Sequence, residues 1–335
     1  MINDMRPLSK PDTPSVPHRK VMPAGTVKAV TSIVNRPSNL AATRIQAAWR
    51  GAKLRRKLSV NGMCPGVVLV RFNDAPAWLL RACGFHFDPG VGHDRYTFAF
   101  ASIDPARHEI GLGATGTLAE PLLYMVGSPD VVAVINGGFF NMEGRADPSA
   151  PEQASIGLSQ TADAVMPHLP IPGAYARDYV HLILDDGSSL HTAPVLGLGG
   201  QAAFTKEHLS APRFHVPPSF DFSKEFIVPG ALAHAADANP RAAASRPVGP
   251  GPGHTRLVVG LAKRRAAGQG YSLGQWSELV ARIDRMESPP NVSVNLDGGS
   301  STALAVRERD GAMMVVAQAG DGRPVANVIQ VKVRR

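Results

Sequence analysis

Short runs of apolar and β-branched residues recur along the chain from residue 66 onward, and they constrain the fold more than any other feature. Runs of this length, rich in Val, Ile and aromatic residues and separated by turn-forming residues, are typical of β-strands. The clearest are VVLVRF (67–72), YTFAFASI (96–103), VVAVI (131–135), YVHLIL (179–184), LVVGLA (257–262), VSVNL (292–296), MMVVA (313–317) and VIQVKV (328–333). Between these strand-like runs, residues 120–126 and 273–286 have the composition of helices. This alternation predicts an α+β fold.

The composition excludes several classes of protein. A chain of 335 residues, 44% of them hydrophobic, can bury a large core, so a wholly disordered protein is excluded. No stretch of 18 apolar residues occurs, and we therefore expect no membrane span. Only Cys64 and Cys83 are present, so a disulfide framework is excluded.

The net charge of +8 is concentrated at one end of the chain. Residues 1–60 hold 12 Lys and Arg against 2 Asp and Glu, which leaves a net charge of −2 on the rest. The larger part of the chain is therefore nearly neutral, and we expect no nucleic-acid partner. Residues 1–38, with many Pro and small polar residues, are predicted to be disordered, and residues 39–60 to form a separate basic helix.

The basic helix carries a calmodulin-binding pattern. Residues 45–55 read IQAAWRGAKLR, which fits the IQ motif IQxxxRGxxxR at every defined position. The resemblance implies calmodulin or a related EF-hand protein as the partner, because apolar anchors can enter its Met-rich groove while cations face its acidic surface. The residues assigned to this contact are Ile45, Gln46, Trp49, Arg50, Gly51 and Arg55. The alternative is a basic helix that lies on an anionic membrane or on nucleic acid.

Two paired glycines follow predicted strands. The first pair lies in NGGFFN (136–141) and the second in DGGSSTAL (297–304). Glycines at such positions let the backbone turn sharply and approach a ligand, and their successive amides can form an anion-binding nest. Each pair taken alone also fits an ordinary hairpin turn.

Four segments, in this order, resemble the phosphodiester glycosidase family. They are the NGGFF segment (136–140), Asn239-Pro240-Arg241, NLDGGSST (295–302) and RPVAN (323–327). The resemblance covers residues 66–335 and implies one catalytic domain with a mixed, largely antiparallel sheet and packed helices. It also implies a hydrolase that cleaves the bond between a sugar and a phosphate.

The chemistry of that reaction indicates which side chains are needed. The departing phosphate monoester requires cations or amides, and the oxocarbenium character of the sugar requires a carboxylate that acts as base or nucleophile. The predicted catalytic residues are Asp297, Asn136, Arg241 and Arg264, and the predicted substrate-binding residues are Gly137, Gly138, Phe139, Gly298, Gly299, Ser300 and Ser301. The sequence has no metal-ligand spacing, so no metal or other cofactor is assigned, although a divalent metal remains an open alternative.

The combination of the two resemblances suggests a setting for the protein. Composition rich in Ala, Arg, Pro and Gly is typical of a GC-rich bacterial genome, whereas calmodulin is a eukaryotic partner. We therefore expect a bacterial effector, secreted without an amino-terminal signal peptide and activated by calmodulin in the host cytosol. The alternative is a catalytically inactive protein that sequesters calmodulin on a glycosidase scaffold. It is favoured by LVVGLAKR (257–264), which lacks the Asp of the family's VVVDGR segment.

Overall fold

The computed structural model describes residues 57–82, 95–126, 128–144, 146–171, 179–203, 237–247, 253–261, 270–285, 291–319 and 322–335. These residues form eighteen strands and two α-helices, α1 (Ala77–Ala82) and α2 (Leu273–Asp284). Three 3-10 helices span Pro121–Tyr124, Met142–Gly144 and Gly299–Ser301. No helix in this described part of the chain is long and apolar enough to cross a membrane.

The strands are numbered in chain order. They are β1 (Leu58–Gly62), β2 (Val67–Pro76), β3 (Arg95–Ile103), β4 (His108–Gly113), β5 (Val131–Asn136), β6 (Ser155–Ile156), β7 (Ser159–Gln160), β8 (His168–Leu169), β9 (Val180–Ile183), β10 (Ser189–Thr192), β11 (Val195–Leu198), β12 (Gln201–Ala202), β13 (Arg241–Pro247), β14 (Thr255–Gly260), β15 (Asn291–Asn295), β16 (Ala303–Arg307), β17 (Met313–Gln318) and β18 (Val328–Val333).

Two large sheets form the frame of the protein. One has eight strands in the order β1-β2-β3-β14-β13-β15-β11-β12, and the other has five in the order β17-β16-β5-β18-β4. Strands β7, β10 and β9 form a smaller sheet. The neighbours in these three sheets pair antiparallel, whereas the short pair β6–β8 is parallel.

The central strands of both large sheets, such as β5 and β14, are buried on both faces, which explains their uninterrupted apolar runs in the sequence. Successive side chains of a strand point to opposite faces. In β3, Phe98 and Phe100 therefore pack in the core beneath α2, while Ala99 and Ala101 pack in the core between the two large sheets. A third core covers the outer face of β5, where Val134 packs against the 3-10 helix Pro121–Tyr124.

Helix α2 covers the outer face of the eight-stranded sheet. Its apolar side chains recur at helical spacing, and Trp276, Leu279 and Ile283 are fully buried. Ser272 caps its first turn: its Oγ accepts the Gln275 N–H at 3.3 Å, while its own N–H donates to Gln275 Oε1 at 2.8 Å. Such a capping box stabilises a helix start. The predicted helix beginning at Leu273 is therefore confirmed.

The predicted α+β class is wrong, because the protein is essentially all β. The apolar segment 120–126, read as helical, forms only the 3-10 helix Pro121–Tyr124. A second helical segment, α1, has only six residues. Within the described residues only α2 is a longer helix packed on a sheet, and one such helix does not make the layer of packed helices that the prediction required.

The amino-terminal boundary of the folded part also differs from the predicted one. Strand β1 pairs with β2, with Leu58 opposite Phe72, so the large sheet begins before residue 66. Residues 58–60, predicted as the end of the basic helix, therefore form a strand. Residues 39–56 of that helix, including the whole IQ motif, and the predicted disordered segment 1–38 lie outside the described residues.

Candidate active site

The two glycine-containing loops meet at one end of the sandwich. Strand β5 of the five-stranded sheet ends at Asn136, and β15 of the eight-stranded sheet ends at Asn295. The loop after β15 crosses to the other sheet, where the Asp297 N–H donates to the Gly137 carbonyl at 2.9 Å. The structure thus brings together the NGG and DGG segments, which are far apart in sequence.

The side chain of Asn136 ties the two sheets together. It is fully buried, its Nδ2 donates to the Asp297 carbonyl at 2.6 Å, and its Oδ1 accepts the Ala303 N–H at 3.0 Å. Both polar atoms of the amide therefore bind backbone groups on either side of the DGGSS segment. Asn136, predicted to be catalytic, thus holds the shape of this loop.

Asn327 holds the first glycine pair from the other side. Its carbonyl accepts the Gly137 N–H at 3.0 Å, and its Oδ1 accepts the Gly138 N–H at 2.9 Å. A Cβ at position 137 would lie 1.8 Å from the Asn327 Oδ1, so only glycine fits there. Contrary to the sequence-based expectation, the two amides already have protein acceptors. They do not form an anion-binding nest.

The second glycine loop wraps the carboxyl group of Asp297. The Gly298 N–H donates to its Oδ1 at 2.9 Å, and the Ser301 hydroxyl also hydrogen-bonds to the carboxyl. Gly299 has a φ of 59° and its N–H donates to the Pro240 carbonyl at 3.0 Å, which fixes the turn beneath the partly buried Ser300. The loop therefore presents one carboxylate on a rigid backbone.

Burial raises the pKa of Asp297 to about 6, although hydrogen bonds from Ser301 and Gly298 and the charge of Arg323 lower it. A pKa near 6 leaves a carboxylate mainly ionised at neutral pH but able to hold a proton slightly below it. Perturbed carboxyl groups of this kind are frequent at functional sites and are suited to general base or nucleophilic chemistry.

Arg241 lies behind the Asp297 loop rather than in the open. Its side chain is 2% exposed; Nε donates to the Tyr271 carbonyl at 2.9 Å and Nη2 to the Asp237 carbonyl at 3.2 Å. Burial lowers its pKa to about 10, so it remains a cation at neutral pH. The guanidinium of Arg241, predicted to be catalytic, is therefore buried and already donates to two backbone carbonyls.

Two residues near Asp297 were not among the predicted site residues. Tyr179 is buried in the same core as Phe139 of the NGGFF segment, and the charge of Asp297 acts on its hydroxyl. Arg323 acts electrostatically on Asp297 and contacts the Met142 sulfur. The RPVAN segment could have indicated Arg323, whereas Tyr179 borders an ordinary strand pattern that carries no such signal.

Some predicted site residues cannot be placed. Arg264 and the six predicted calmodulin contacts lie outside the described residues. Within the described ranges, no group of three or more His, Cys, Asp or Glu side chains is arranged to hold a metal ion.

No protein-family model matches the chain, and no curated protein matches it in sequence. In structure it resembles the zebrafish N-acetylglucosamine-1-phosphodiester alpha-N-acetylglucosaminidase catalytic domain, described as auto-inhibited by its pro-peptide. The TM-score is 0.48 at 12% identity, over 83% of this chain and 89% of that one. It also resembles a "Putative exported protein" from Burkholderia pseudomallei, with a TM-score of 0.45 at 12% identity over 88% of each chain. These are weak resemblances at the level of the fold.

Proposed function

We propose that this chain is a hydrolase that cleaves the bond between the anomeric carbon of a sugar and a phosphate, in a glycosyl phosphodiester or a nucleotide sugar. The observation that carries the proposal is the Asp297 carboxyl, which lies where the two glycine loops meet and whose pKa burial raises to about 6. The four segments that resemble the phosphodiester glycosidase family support the same reaction class.

In this proposal Asp297 acts on the sugar side of the scissile bond. With a pKa of about 6, the carboxylate is ionised in most molecules at neutral pH. It can then attack the anomeric carbon, or remove a proton from a water that does so, as positive charge develops on the sugar. The leaving phosphate monoester is stable as an anion, so the site needs positive charge more than a strong acid.

The remaining predicted residues have supporting roles. Asn136 keeps the Asp297 loop in register with the other sheet, and Arg241 supplies a buried positive charge beneath it. Arg264 is proposed to bind the phosphate. Gly299, beside which a Cβ would meet no atom within 4 Å, is proposed to let substrate approach the backbone closely, and Ser301 hydrogen-bonds to the Asp297 carboxyl. Phe139 and Ser300 are proposed to contact substrate.

A substrate panel tests the reaction class. The full chain would be incubated with glycosyl phosphodiesters and nucleotide sugars in water labelled with oxygen-18, with and without calmodulin. We expect a free sugar and a phosphate monoester as products, with the label on the sugar, because the carbon–oxygen bond breaks. Label on the phosphate would instead indicate a phosphodiesterase, and lack of turnover across the panel would contradict the hydrolase.

The second candidate is a catalytically inactive protein that sequesters calmodulin. It is favoured by the missing Asp in LVVGLAKR and by the engagement of Arg241 and Asn136 in holding the loops. The substrate panel discriminates the two, because this candidate predicts calmodulin binding with no turnover under any condition.

We also propose that residues 39–58 bind host calmodulin and that this binding activates the enzyme. Replacing Ile45 and Gln46 together by Ala removes an apolar anchor and a polar contact, while Ala preserves helix propensity. Because anchors in such grooves contribute most of the binding energy, the affinity should fall at least about 30-fold, measured by calorimetry. Calmodulin-dependent activity should be lost with it.

A matched variant checks that the effect belongs to the motif. Replacing Ile33 and Asn35 by Ala removes similar side chains a short distance upstream, and calmodulin affinity should stay unchanged. Unchanged affinity in the Ile45 and Gln46 variant would refute the IQ assignment. Constant wild-type activity across a calmodulin titration would leave binding but exclude activation.

A further inference from the structure

We infer that Tyr179 and Arg323 form the phosphate-binding part of the candidate site. The inference rests on the proposed function and names the side chains that contact the anionic part of its substrate. The hydrogen bonds that hold the two glycine loops come from Asn136 and Asn327, and within the described residues neither Tyr179 nor Arg323 takes part in them.

Tyr179 supplies a hydrogen-bond donor that has no acceptor among the residues that the structure describes. The residue is 8% exposed, and its hydroxyl oxygen is shielded from solvent without a hydrogen-bond partner among the described residues. A buried hydroxyl in that state is costly, and a bound ligand oxygen is one physical reason for it to persist. Burial raises the pKa of Tyr179 well above its ordinary value, so the hydroxyl stays a neutral donor.

The chain path places Tyr179 beside Asp297. Tyr179 directly precedes Val180, which pairs with Thr192 in the small sheet, and the Thr192 hydroxyl donates to the Asn295 carbonyl. Asp297 follows Asn295 by two residues. Tyr179 also belongs to the same hydrophobic core as Phe139 of the first glycine loop, and the charge of Asp297 in the second loop acts on its hydroxyl.

Arg323 supplies a cation on the side of the first glycine loop. Its half-buried guanidinium contacts the sulfur of Met142, and no carboxylate of the described residues lies within 4.0 Å of it. Four residues later, Asn327 binds the Gly137 and Gly138 amides, so the segment carrying Arg323 is anchored to the site. A planar guanidinium is well suited to two parallel hydrogen bonds with a phosphate.

The two donors complement each other chemically. A phosphodiester has a single negative charge and oxygens that only accept hydrogen bonds, whereas a neutral hydroxyl and a guanidinium both donate. A carboxylate such as Asp297 cannot bind the phosphate itself, so the substrate's anionic part must face these donors while the sugar faces Asp297. This division would orient the anomeric carbon toward the carboxylate.

The test measures phosphate binding apart from turnover. Methyl phosphate, which carries no sugar, would be titrated into the full chain and its phosphorus-31 NMR shift followed. Saturable binding is expected for the wild type. In Tyr179→Phe and Arg323→Gln, the Kd should rise by about 10- to 100-fold, as the loss of a hydrogen bond to a charged group implies. Arg323→Lys keeps the charge but loses the planar guanidinium, so its Kd should lie between those of the wild type and Arg323→Gln.

Matched variants exclude a general loss of structure. Tyr124→Phe removes another buried tyrosine hydroxyl, and Arg309→Gln removes a cation from the far end of the β16–β17 hairpin; both should bind methyl phosphate like the wild type. Tyr179→Phe should melt no lower than the wild type, because among the described residues its hydroxyl has no hydrogen-bond partner to lose.

The outcomes separate this inference from the proposed function. Loss of binding in both variants supports the inference, even if the wild type hydrolyses nothing in the substrate panel. Unchanged affinity in either variant overturns the role of that residue, even if turnover is demonstrated. A wild type that does not bind methyl phosphate overturns the inference as a whole.

Discussion

Replacing Asp297 by Asn should lower kcat for a glycosyl phosphodiester by at least about a thousand-fold, as expected for loss of the group that acts on the reacting carbon. Asn has nearly the same shape, and its Oδ1 can still accept the Gly298 N–H. It cannot, however, attack the sugar or accept a proton from water. Turnover within about ten-fold of the wild type would remove Asp297 from the mechanism.

The same replacement should stabilise the fold at neutral pH. Because the pKa of Asp297 is raised from 3.8 to about 6, its carboxyl group binds a proton more tightly in the native state than in the unfolded state. Stability contributed by the group is therefore present below pH 4 and is lost as the pH rises to about 6. The Asn side chain at position 297 does not titrate, so the variant escapes this loss of stability. We expect a difference of about 1–2 kcal/mol, less than the pKa shift alone would give, because Asp297 is only partly buried.

Chemical unfolding at several pH values checks the sign. The free energy of unfolding of Asp297→Asn minus that of the wild type should be near zero at pH 4 and positive at pH 7. The pH profile of wild-type activity should rise through about pH 6 as the carboxylate forms. A variant less stable than the wild type at pH 7 would mean that Asp297 is mainly a structural residue.

The largest loss of stability should follow replacement of Asp284 by Ala. This carboxylate at the end of α2 is 1% exposed; it accepts the Ser293 hydroxyl at 2.5 Å and the Ser245 hydroxyl, and lies 3.6 Å from the buried Arg256 guanidinium. Ala removes the partner carboxylate from a cation that cannot reach water. Breaking a buried ion pair in this way costs about 3–5 kcal/mol.

The same helix offers a control on its solvent side. Glu278 and Arg282 form an ion pair at 3.6 Å, with each side chain 26% exposed. Glu278→Ala should change the free energy of unfolding by about 1 kcal/mol or less, because partly exposed pairs contribute little. Urea unfolding followed by circular dichroism compares the two variants, and equal losses would show that the Asp284 cluster contributes no more than a surface pair.

The strands could be predicted from the sequence because each is marked locally. Runs such as 131–135 and 257–262 are apolar at every position, and in the structure β5 and β14 are buried on both faces. The helical content could not be predicted so well. Segment 120–126 has the composition of a helix, but the adjacent core admits only one short 3-10 turn there.

The candidate site was predicted in part. The glycine pairs mark where each loop must turn, and Asp297 is visible as the carboxylate beside one of them. The acceptors of the glycine amides could not be predicted, since Asn327 lies 189 residues beyond Gly138 in the chain. For the same reason the sequence could not show that Arg241 is buried among backbone carbonyls, or that the Tyr179 hydroxyl lies near Asp297.

The link from Asn136 to Asp297 has a kinetic consequence. It joins residues 161 positions apart and connects strands of two different sheets. Contacts between such distant segments form slowly, because the chain must lose conformational entropy to bring them together before the free energy of the contact is gained. Neither sheet alone contains the whole site, so a refolding chain acquires its active geometry only when the sandwich closes. Activity would therefore report the completion of folding rather than the formation of individual strands.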